Sequence, residues 1–195
     1  ASVHAFDDLD VLLDAYHGKR SAWAFYRRFG HENGRLLEEA VAELEGAEDA
    51  LACSSGMSAV LTIYQALLGK GGRVLASRDL YGGTYAYLRT HAPRHGVEAS
   101  FVDLEVLETA VAPGTDVVAI ETISNPLVRV PDLARIARNC RRSGALLVVD
   151  NTFATPFLCR PLEWGADVVF HSGTKFLNGH GDAVSGVIAA SRGRI

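Results

Sequence analysis

Lysine is scarce in this chain of 195 residues: only three of its 19 basic residues are lysines, and the rest are arginines. The arginines are scattered and the net charge is −4, so neither feature indicates a nucleic-acid partner. The three cysteines are odd in number and each lies in or beside an apolar stretch, which favours buried thiols in a reducing compartment over a disulfide framework. No apolar run reaches the roughly 18 residues that a membrane-spanning helix requires. We therefore expect a cytoplasmic protein without a nucleic-acid or membrane partner.

Short apolar runs alternate with helical patterns along most of the chain. The runs at 117–120 and 146–149 are rich in Val, Leu and Ile, which is typical of buried parallel strands. This alternation predicts an α/β fold with a mostly parallel sheet. We predict one such domain over residues 34–195, preceded by residues 1–33, which combine aromatic and basic residues with weak periodicity. The predicted strands are 50–53, 73–76, 99–102, 117–120, 146–149 and 166–170, and the predicted helices are 35–46, 57–68, one ending near 91, 104–111 and 131–142.

Lys175 lies in the segment 171–175, His-Ser-Gly-Thr-Lys, directly after the predicted strand at 166–170. Asp150 directly follows the predicted strand at 146–149. Because ligands bind at the carboxyl ends of parallel strands, we expect these two side chains to share a site. An amine and a carboxylate beside hydroxyl groups suit pyridoxal phosphate, because a lysine forms its Schiff base and an aspartate pairs with its pyridinium nitrogen. The alternative for Asp150 is a cap for the segment that follows it.

Ser55, Gly56 and Met57 join a predicted strand to a predicted helix. The free N–H groups of a helix start, together with a glycine that permits close approach, can bind a phosphate group. Ser172 and Thr174 can add hydroxyl groups to the same phosphate. The alternatives are that Ser55 only caps the helix and that the other two hydroxyl residues only form a turn.

Two further side chains follow predicted strands and suit the same cofactor. Tyr81, in Tyr-Gly-Gly-Thr, can stack on a cofactor ring and move protons, and the alternative is a half-buried core tyrosine. Asn125 can donate to the phenolic oxygen of the cofactor, and the alternative is an Asn-Pro turn. His171 and His180 stand nine residues apart without cysteine or carboxylate partners in a ligand pattern, so we predict no metal site.

Six motifs follow one another along the chain: Tyr26-x-Arg28, Ser54-Ser55-Gly56-Met57, Tyr81-Gly82-Gly83-Thr84, Glu121-x-x-Ser124-Asn125-Pro126, residues 149–156 (VDNTFATP) and residues 171–180 (HSGTKFLNGH). In this order they resemble the Cys/Met-metabolism pyridoxal-phosphate enzymes. That family includes cystathionine γ-synthase, the cystathionine γ- and β-lyases, methionine γ-lyase and O-acetylhomoserine sulfhydrylase. The resemblance runs from about residue 3 to the end of the sequence.

The resemblance implies the large domain of a fold type I, aspartate-aminotransferase-like enzyme, with helices on both faces of its sheet. It implies Lys175 as the Schiff-base lysine, Asp150 at the pyridine nitrogen and Tyr81 over the ring. It also implies phosphate contacts from Gly56, Met57, Ser172 and Thr174. Tyr26 and Arg28 would reach the phosphate of a neighbouring subunit, so residues 1–33 would act as an arm in a homodimer or homotetramer.

The activity implied is elimination or replacement on sulfur amino acids or activated homoserine. Methionine γ-lyases of the family usually carry Cys where Gly83 stands, which disfavours that activity. Family members continue into a C-terminal domain that carries the arginine for the substrate carboxylate. We expect a fragment or processed chain in which that domain is absent, either because it was removed from this chain or because a second polypeptide supplies it. Two alternatives stay open: a cofactor-binding subunit or fragment that is inactive by itself, and an aminotransferase of the same fold.

Overall fold

The computed structural model describes residues 6, 8–19, 26 and 30–195. Its strands, numbered along the chain, are β1 (Asp49–Cys53), β2 (Arg73–Ser77), β3 (Glu98–Val102), β4 (Val117–Glu121), β5 (Leu146–Asp150), β6 (Val168–His171) and β7 (Gly186–Ala190). These seven strands form one sheet in the order β1-β7-β6-β5-β4-β2-β3. The six predicted strands are all present, and their bounds differ from the prediction by two residues at most.

The parallel part of the sheet consists of β3, β2, β4, β5 and β6, which are adjacent in that order. Strand β7 is antiparallel to both β1 and β6. The predicted mostly parallel α/β sheet is therefore confirmed. Because β4 and β5 are parallel and in register, Glu121 and Asp150 are paired at their carboxyl ends. The sheet thus brings two carboxylates side by side at the edge where the functional residues were predicted.

The helices of the described residues are α1 (Leu9–Tyr16), α2 (Glu32–Glu45), α3 (Gly56–Leu67), α4 (Gly82–Ala86), α5 (Leu104–Thr109), α6 (Leu133–Ser143) and α7 (Thr155–Leu158). A π-helical turn at Tyr87–His91 and 3-10 turns at Ala92–His95 and Pro161–Trp164 complete the set. Helix α1 lies within residues 1–33 and α2 begins at Glu32, so the boundary between residues 33 and 34 stays a prediction.

Both faces of the sheet are buried, because successive residues of a strand point to opposite faces. Val117 and Ala119 of β4 pack in the apolar cluster that α3 completes. Val118 and Ile120 pack in a second cluster, which α5 and α6 complete. Each such side chain contributes about 1.5–3 kcal/mol when it is fully buried. The prediction of helices on both faces is confirmed.

Helix α2 differs from its prediction in the face that it buries. The apolar spacing of Leu36, Leu37, Ala40, Val41 and Leu44 predicts one buried face, and of these Val41 is buried, whereas the three leucines are 59%, 37% and 48% exposed. Val41 packs with Ala42, which was not predicted, in a small cluster against β1 and β7. The reason is geometric, since the described residues provide a packing surface on only one side of this helix.

The three cysteines are unpaired thiols. Cys140 is buried, whereas Cys53 and Cys159 are half-buried, so the prediction of buried thiols holds fully for one of them. Burial raises the pKa of all three thiols, that of Cys140 to about 12. In residues 6, 8–19, 26 and 30–195, no helix has the length and apolar content needed to cross a membrane.

Candidate active site

A cavity of about 360 Å³ opens where the loops after β2, β4, β5 and β6 meet. The predicted residues that line it are Ser55, Gly56, Met57, Tyr81, Asn125, Asp150, Ser172, Thr174 and Lys175. Tyr26 is described but does not line this cavity, and Arg28 lies outside the described residues. The sheet therefore brings together every site residue that was predicted from the chain's own strand ends.

Lys175 is held in a turn directly after β6. Its backbone N–H donates to the carbonyl of Ser172 at 3.1 Å, and its carbonyl accepts from the N–H of Gly179 at 3.1 Å. The residue is exposed at the cavity, so its amine is accessible to a ligand. Lys19 and Lys70, the other two lysines, do not line the cavity.

Asp150 is fixed from one side and lines the cavity on the other. Its Oδ1 accepts from the backbone N–H of Thr152 at 2.9 Å and also from the hydroxyl of Thr152. That hydroxyl in turn accepts from the N–H of Ser172 at 2.8 Å, which ties the loops after β5 and β6 together. Asp150 thus closes a local turn with Thr152 and also lines the cavity, whereas the next helix, α7, has Ala154 and not Asp150 as its N-cap.

The electrostatics at Asp150 favour a cationic ligand. Burial raises the pKa of its carboxyl group, and the hydrogen bonds from Thr152 and the charge of His171 only partly oppose that effect. A desolvated carboxylate is stabilised when a cation pairs with it. A protonated pyridine nitrogen at the cavity floor would provide such a cation, so the donor set fits this part of pyridoxal phosphate.

The amino end of α3 leaves backbone donors available at the cavity. Ser55 is the N-cap and forms a capping box with Ser58, in which Ser55 Oγ accepts from the Ser58 N–H at 3.0 Å. In the described part of the chain, the N–H groups of Gly56 and Met57 have no acceptor. Two free donors at a helix start are suited to an anion.

Gly56 allows the hydroxyl group of Ser172 to approach the amino end of α3. A Cβ at this position would lie 2.7 Å from Cβ and 2.9 Å from Oγ of Ser172, so only glycine permits this approach. The hydroxyl of Thr174 differs, because it donates to the carbonyl of Ser185 at 3.2 Å and accepts from its N–H at 3.1 Å. Free N–H groups beside a serine hydroxyl fit a phosphate group.

Tyr81 and Asn125 stand in two separate loops on the cavity wall. Tyr81 is 49% exposed and lines the cavity. A Cβ at Gly83 would lie 2.6 Å from Cε1 of Tyr81 and 2.8 Å from Sδ of Met57, so this glycine lets the ring rest close to Met57. Asn125 also lies in the turn that was its alternative interpretation, which the Val128 N–H closes by donating to the carbonyl of Ser124 at 2.8 Å.

Several lining residues carry no prediction from the sequence. They are Val60, Thr84, Glu121, Ile123, Thr152, Phe153 and Phe170. Glu121 ends a strand just as Asp150 does, so the same signal could have found it. Thr84 is almost fully buried, and its hydroxyl has no hydrogen-bond partner in the described part of the chain. It is one more polar group at the cavity that a ligand could satisfy.

A sequence profile of the family described as "Cys/Met metabolism PLP-dependent enzyme" matches residues 1–195. The chain belongs to this family. Its members depend on pyridoxal phosphate, as the description states, and the cofactor predicted from the strand-end residues is thereby supported.

Individual relatives agree with the family. An L-methionine gamma-lyase of Pseudomonas putida is 44% identical over 171 residues, which are 86% of this chain and 43% of the relative. A cystathionine gamma-lyase of Homo sapiens is 42% identical over 170 residues, which are 85% of this chain and 42% of the relative. The chain therefore spans less than half the length of these relatives.

Solved structures show the same fold. A putative O-acetylhomoserine (thiol)-lyase from Campylobacter jejuni has a TM-score of 0.87 at 27% identity, and the match covers 100% of this chain and 49% of that one. That crystal structure carries N′-pyridoxyl-lysine-5′-monophosphate. The metB protein of Corynebacterium glutamicum has a TM-score of 0.87 at 35% identity over 99% of this chain and 49% of that one. The predicted fold type I pyridoxal-phosphate domain is confirmed.

Proposed function

We propose that this chain forms the cofactor-binding part of a pyridoxal-phosphate-dependent lyase or transferase that acts on sulfur amino acids or activated homoserine. The observation that carries the proposal is the meeting of Lys175, Asp150 and the amino end of α3 at one cavity. When bound, pyridoxal phosphate withdraws electrons from the Cα of an amino acid, which permits β- or γ-elimination or replacement.

Lys175 and Asp150 would carry the reactive end of the site. The amine of Lys175 would hold the cofactor covalently and, once the substrate has displaced it, move protons at the substrate Cα and Cβ. Asp150 would keep the ring nitrogen protonated, because its desolvated carboxylate needs a cation. The hydrogen bonds from Thr152 would hold that carboxylate in place.

The phosphate would lie at the amino end of α3. The N–H groups of Gly56 and Met57 and the hydroxyl of Ser172 would donate to it, and Ser55 would order the loop as N-cap. Thr174 would add its hydroxyl by turning its single proton from the Ser185 carbonyl to the phosphate.

Tyr81 and Asn125 would orient the cofactor ring. The exposed ring of Tyr81 stands at the cavity and would cover one face of the cofactor. The side-chain amide of Asn125 would donate to the phenolic oxygen. A side chain at position 83 would contact the ring of Tyr81, and Gly83 avoids that contact. The methionine γ-lyases of the family usually carry Cys at this position.

Assembly stays part of the proposal. Tyr26 and Arg28 would reach the phosphate of a neighbouring subunit in a cytoplasmic homodimer or homotetramer, with residues 1–33 as the arm. In light scattering we expect a species larger than a monomer. Arg28→Ala should weaken cofactor binding by about 1.5–3 kcal/mol, as for a charge-assisted hydrogen bond. A monomer that binds the cofactor at full strength would contradict this part.

A substrate carboxylate needs a partner as well, and a bidentate arginine is the usual one. In the described part of the chain no arginine lines the cavity. We propose that a further domain or a second polypeptide provides it, in which case the chain by itself would bind cofactor and turn over amino acids poorly.

Borohydride reduction tests the proposal directly. The chain is loaded with pyridoxal phosphate, reduced and mapped by peptide mass spectrometry, and the adduct is expected on Lys175. A label on Lys19 or Lys70, or no cofactor spectrum at all, would overturn the proposal. Lys175→Ala should abolish turnover while the phosphate contacts still retain some cofactor.

Product analysis then separates the candidate reactions. Elimination or replacement releases a thiol or an activated leaving group, whereas an aminotransferase forms a keto acid without releasing a thiol. Adding the proteins that the neighbouring genes encode tests whether a second polypeptide is required. Elimination by the chain alone at about 1–10³ per second would show that the site is already complete.

A further inference from the structure

Glu121, the last residue of β4, connects two loops on which the proposed cofactor contacts depend. Its Oε1 accepts a hydrogen bond from the backbone N–H of Tyr81, which lies 40 residues earlier in the sequence. The backbone amide of Asn125, in the loop after β4, faces the same carboxyl group and lowers its pKa. Both loops line the cavity, so one carboxyl group is the junction between them.

The charges around Glu121 do not provide it with a partner of opposite sign. Asp150 faces it from β5 and Asp79 faces it from the segment after β2. Asp79 is itself compensated by Arg129 at 2.9 Å, and Lys175 lines the same cavity. Burial, followed by the charge of Asp150, raises the pKa of Glu121 to about 8. At neutral pH the cofactor-free chain therefore holds this group largely as a neutral carboxyl, suited to hydrogen bonding.

We propose that Glu121 is a positioning residue of the cofactor site, whose carboxyl group holds the Tyr81 and Asn125 loops against the cavity by hydrogen bonding. This inference rests on the proposed function, in which Tyr81 covers the ring and Asn125 contacts the phenolic oxygen. It requires an acceptor of the right reach, not a negative charge. Glutamine keeps the acceptor and the reach but has no charge, whereas aspartate keeps the charge and is one methylene shorter.

The experiment compares Glu121→Ala, Glu121→Gln and Glu121→Asp with the wild-type chain. Cofactor affinity is measured by titrating pyridoxal phosphate into the cofactor-free chain, and visible circular dichroism reports how rigidly the bound cofactor is oriented. We expect about tenfold weaker binding and a reduced dichroic signal for the Ala and Asp variants, since about one net hydrogen bond is lost. The Gln variant should stay within about threefold of wild type. Glu98→Ala, on the exposed edge strand β3, is the matched control and should change neither quantity.

Three results would overturn the inference. One is an Ala variant with wild-type affinity and dichroism, and another is a Gln variant as impaired as the Ala variant, which would mean that the charge is what counts. Should the Ala variant not fold, the Gln and Asp variants decide, and an Asp variant that outperforms the Gln variant refutes the inference. If the wild-type chain binds no cofactor at Lys175, the proposed function fails with it. If the cofactor binds at Lys175 but the Glu121 variants behave like wild type, only this inference is refuted and the proposed function stands.

Discussion

Glu45, at the end of α2, and Glu121, at the end of β4, are both glutamates sealed almost completely from solvent, with exposures of 0% and 7%. Glu45 has side-chain partners at one oxygen: its Oε1 lies 2.6 Å from Nε2 of His171 and accepts from Nδ2 of Asn151 at 2.8 Å, whereas its Oε2 has no hydrogen-bond partner among the described residues. Glu121 accepts from the backbone amide of Tyr81 and faces a second carboxyl group, that of Asp150. One buried carboxyl group is bonded to side chains, and the other is bonded to the backbone and faces a second carboxyl group, which favours its protonated form.

The two glutamates therefore differ in role: Glu45 supports the fold around the candidate site, whereas Glu121 lines the cavity itself. His171 directly precedes Ser172, and Asn151 directly follows Asp150, so the paired cluster around Glu45 anchors α2 to two strand ends of the candidate site. The Oε1 of Glu45 is bonded within the scaffold, and Glu45 does not line the cavity. The buried carboxyl groups at the cavity are neutralised by a proton in the cofactor-free chain. When the cofactor is bound, its cationic ring would pair with them instead.

Removing Glu45 should have the largest effect on stability. Glu45→Ala leaves His171 and the amide of Asn151 buried without their partner, and breaking a buried pair costs about 3–5 kcal/mol. Urea unfolding of the cofactor-free chain at pH 7 measures this loss. Glu43→Ala, on the exposed side of the same helix, is the control and should stay within about 0.5 kcal/mol of wild type. A loss below about 1 kcal/mol for Glu45→Ala would remove the distinction between the two glutamates.

Asp150→Asn should have an intermediate effect, and on cofactor binding instead of folding. The substitution keeps the size and the acceptor for Thr152 but removes the charge that would pair with the ring nitrogen. We expect cofactor affinity to fall by about 1.5–3 kcal/mol, which is about ten- to a hundredfold, and turnover to be largely lost. The free energy of unfolding of the cofactor-free chain should not fall, because a desolvated carboxylate has been neutralised. If the variant turned over like wild type, Asp150 would be only a local cap.

The stability of the cofactor-free chain should depend on pH through Glu121. Its pKa is raised from 4.5 in the unfolded chain to about 8 in the folded one, so the folded chain binds the proton more tightly. The stabilising proton is therefore lost as pH rises, and the free energy of unfolding should fall between about pH 5 and 8, by at most about 1.4 kcal/mol per pH unit from this group. The raised pKa of Asp150 acts in the same direction.

Urea unfolding at pH 5, 6, 7 and 8 measures this slope. Glu121→Gln cannot titrate and should flatten the curve, whereas Glu43→Ala should leave it unchanged. A wild-type curve that rises across this range, or an unaltered slope in the Gln variant, would contradict the assignment.

The sequence predicted the residues at the cavity better than the buried cluster around Glu45. Asp150 and Lys175 directly follow apolar runs, and strand ends in a parallel sheet meet at one edge, so local pattern was sufficient for them. Glu121 follows such a run too, but its link to Tyr81 joins residues 40 positions apart and leaves no local pattern. Glu45 resembles any polar residue of an amphipathic helix, because the His171 that it meets comes 126 residues later. The same reason explains why Leu36 was expected to be buried and is exposed: helical periodicity does not indicate which face the rest of the chain will cover.

The smallest expected effect is the sharpest test, and it compares the same substitution at both glutamates. At pH 5, well below its pKa of about 8, Glu121 is a neutral carboxyl, so Glu121→Gln replaces one uncharged acceptor by another of equal reach. The free energy of unfolding should therefore change by less than about 0.5 kcal/mol. Glu45→Gln also preserves size, but it withdraws the charge that His171 meets at 2.6 Å and should cost clearly more. Parallel urea titrations at pH 5 settle the ranking. Equal losses at the two positions would mean that burial alone, and not the pairing of charge, determines what each glutamate contributes.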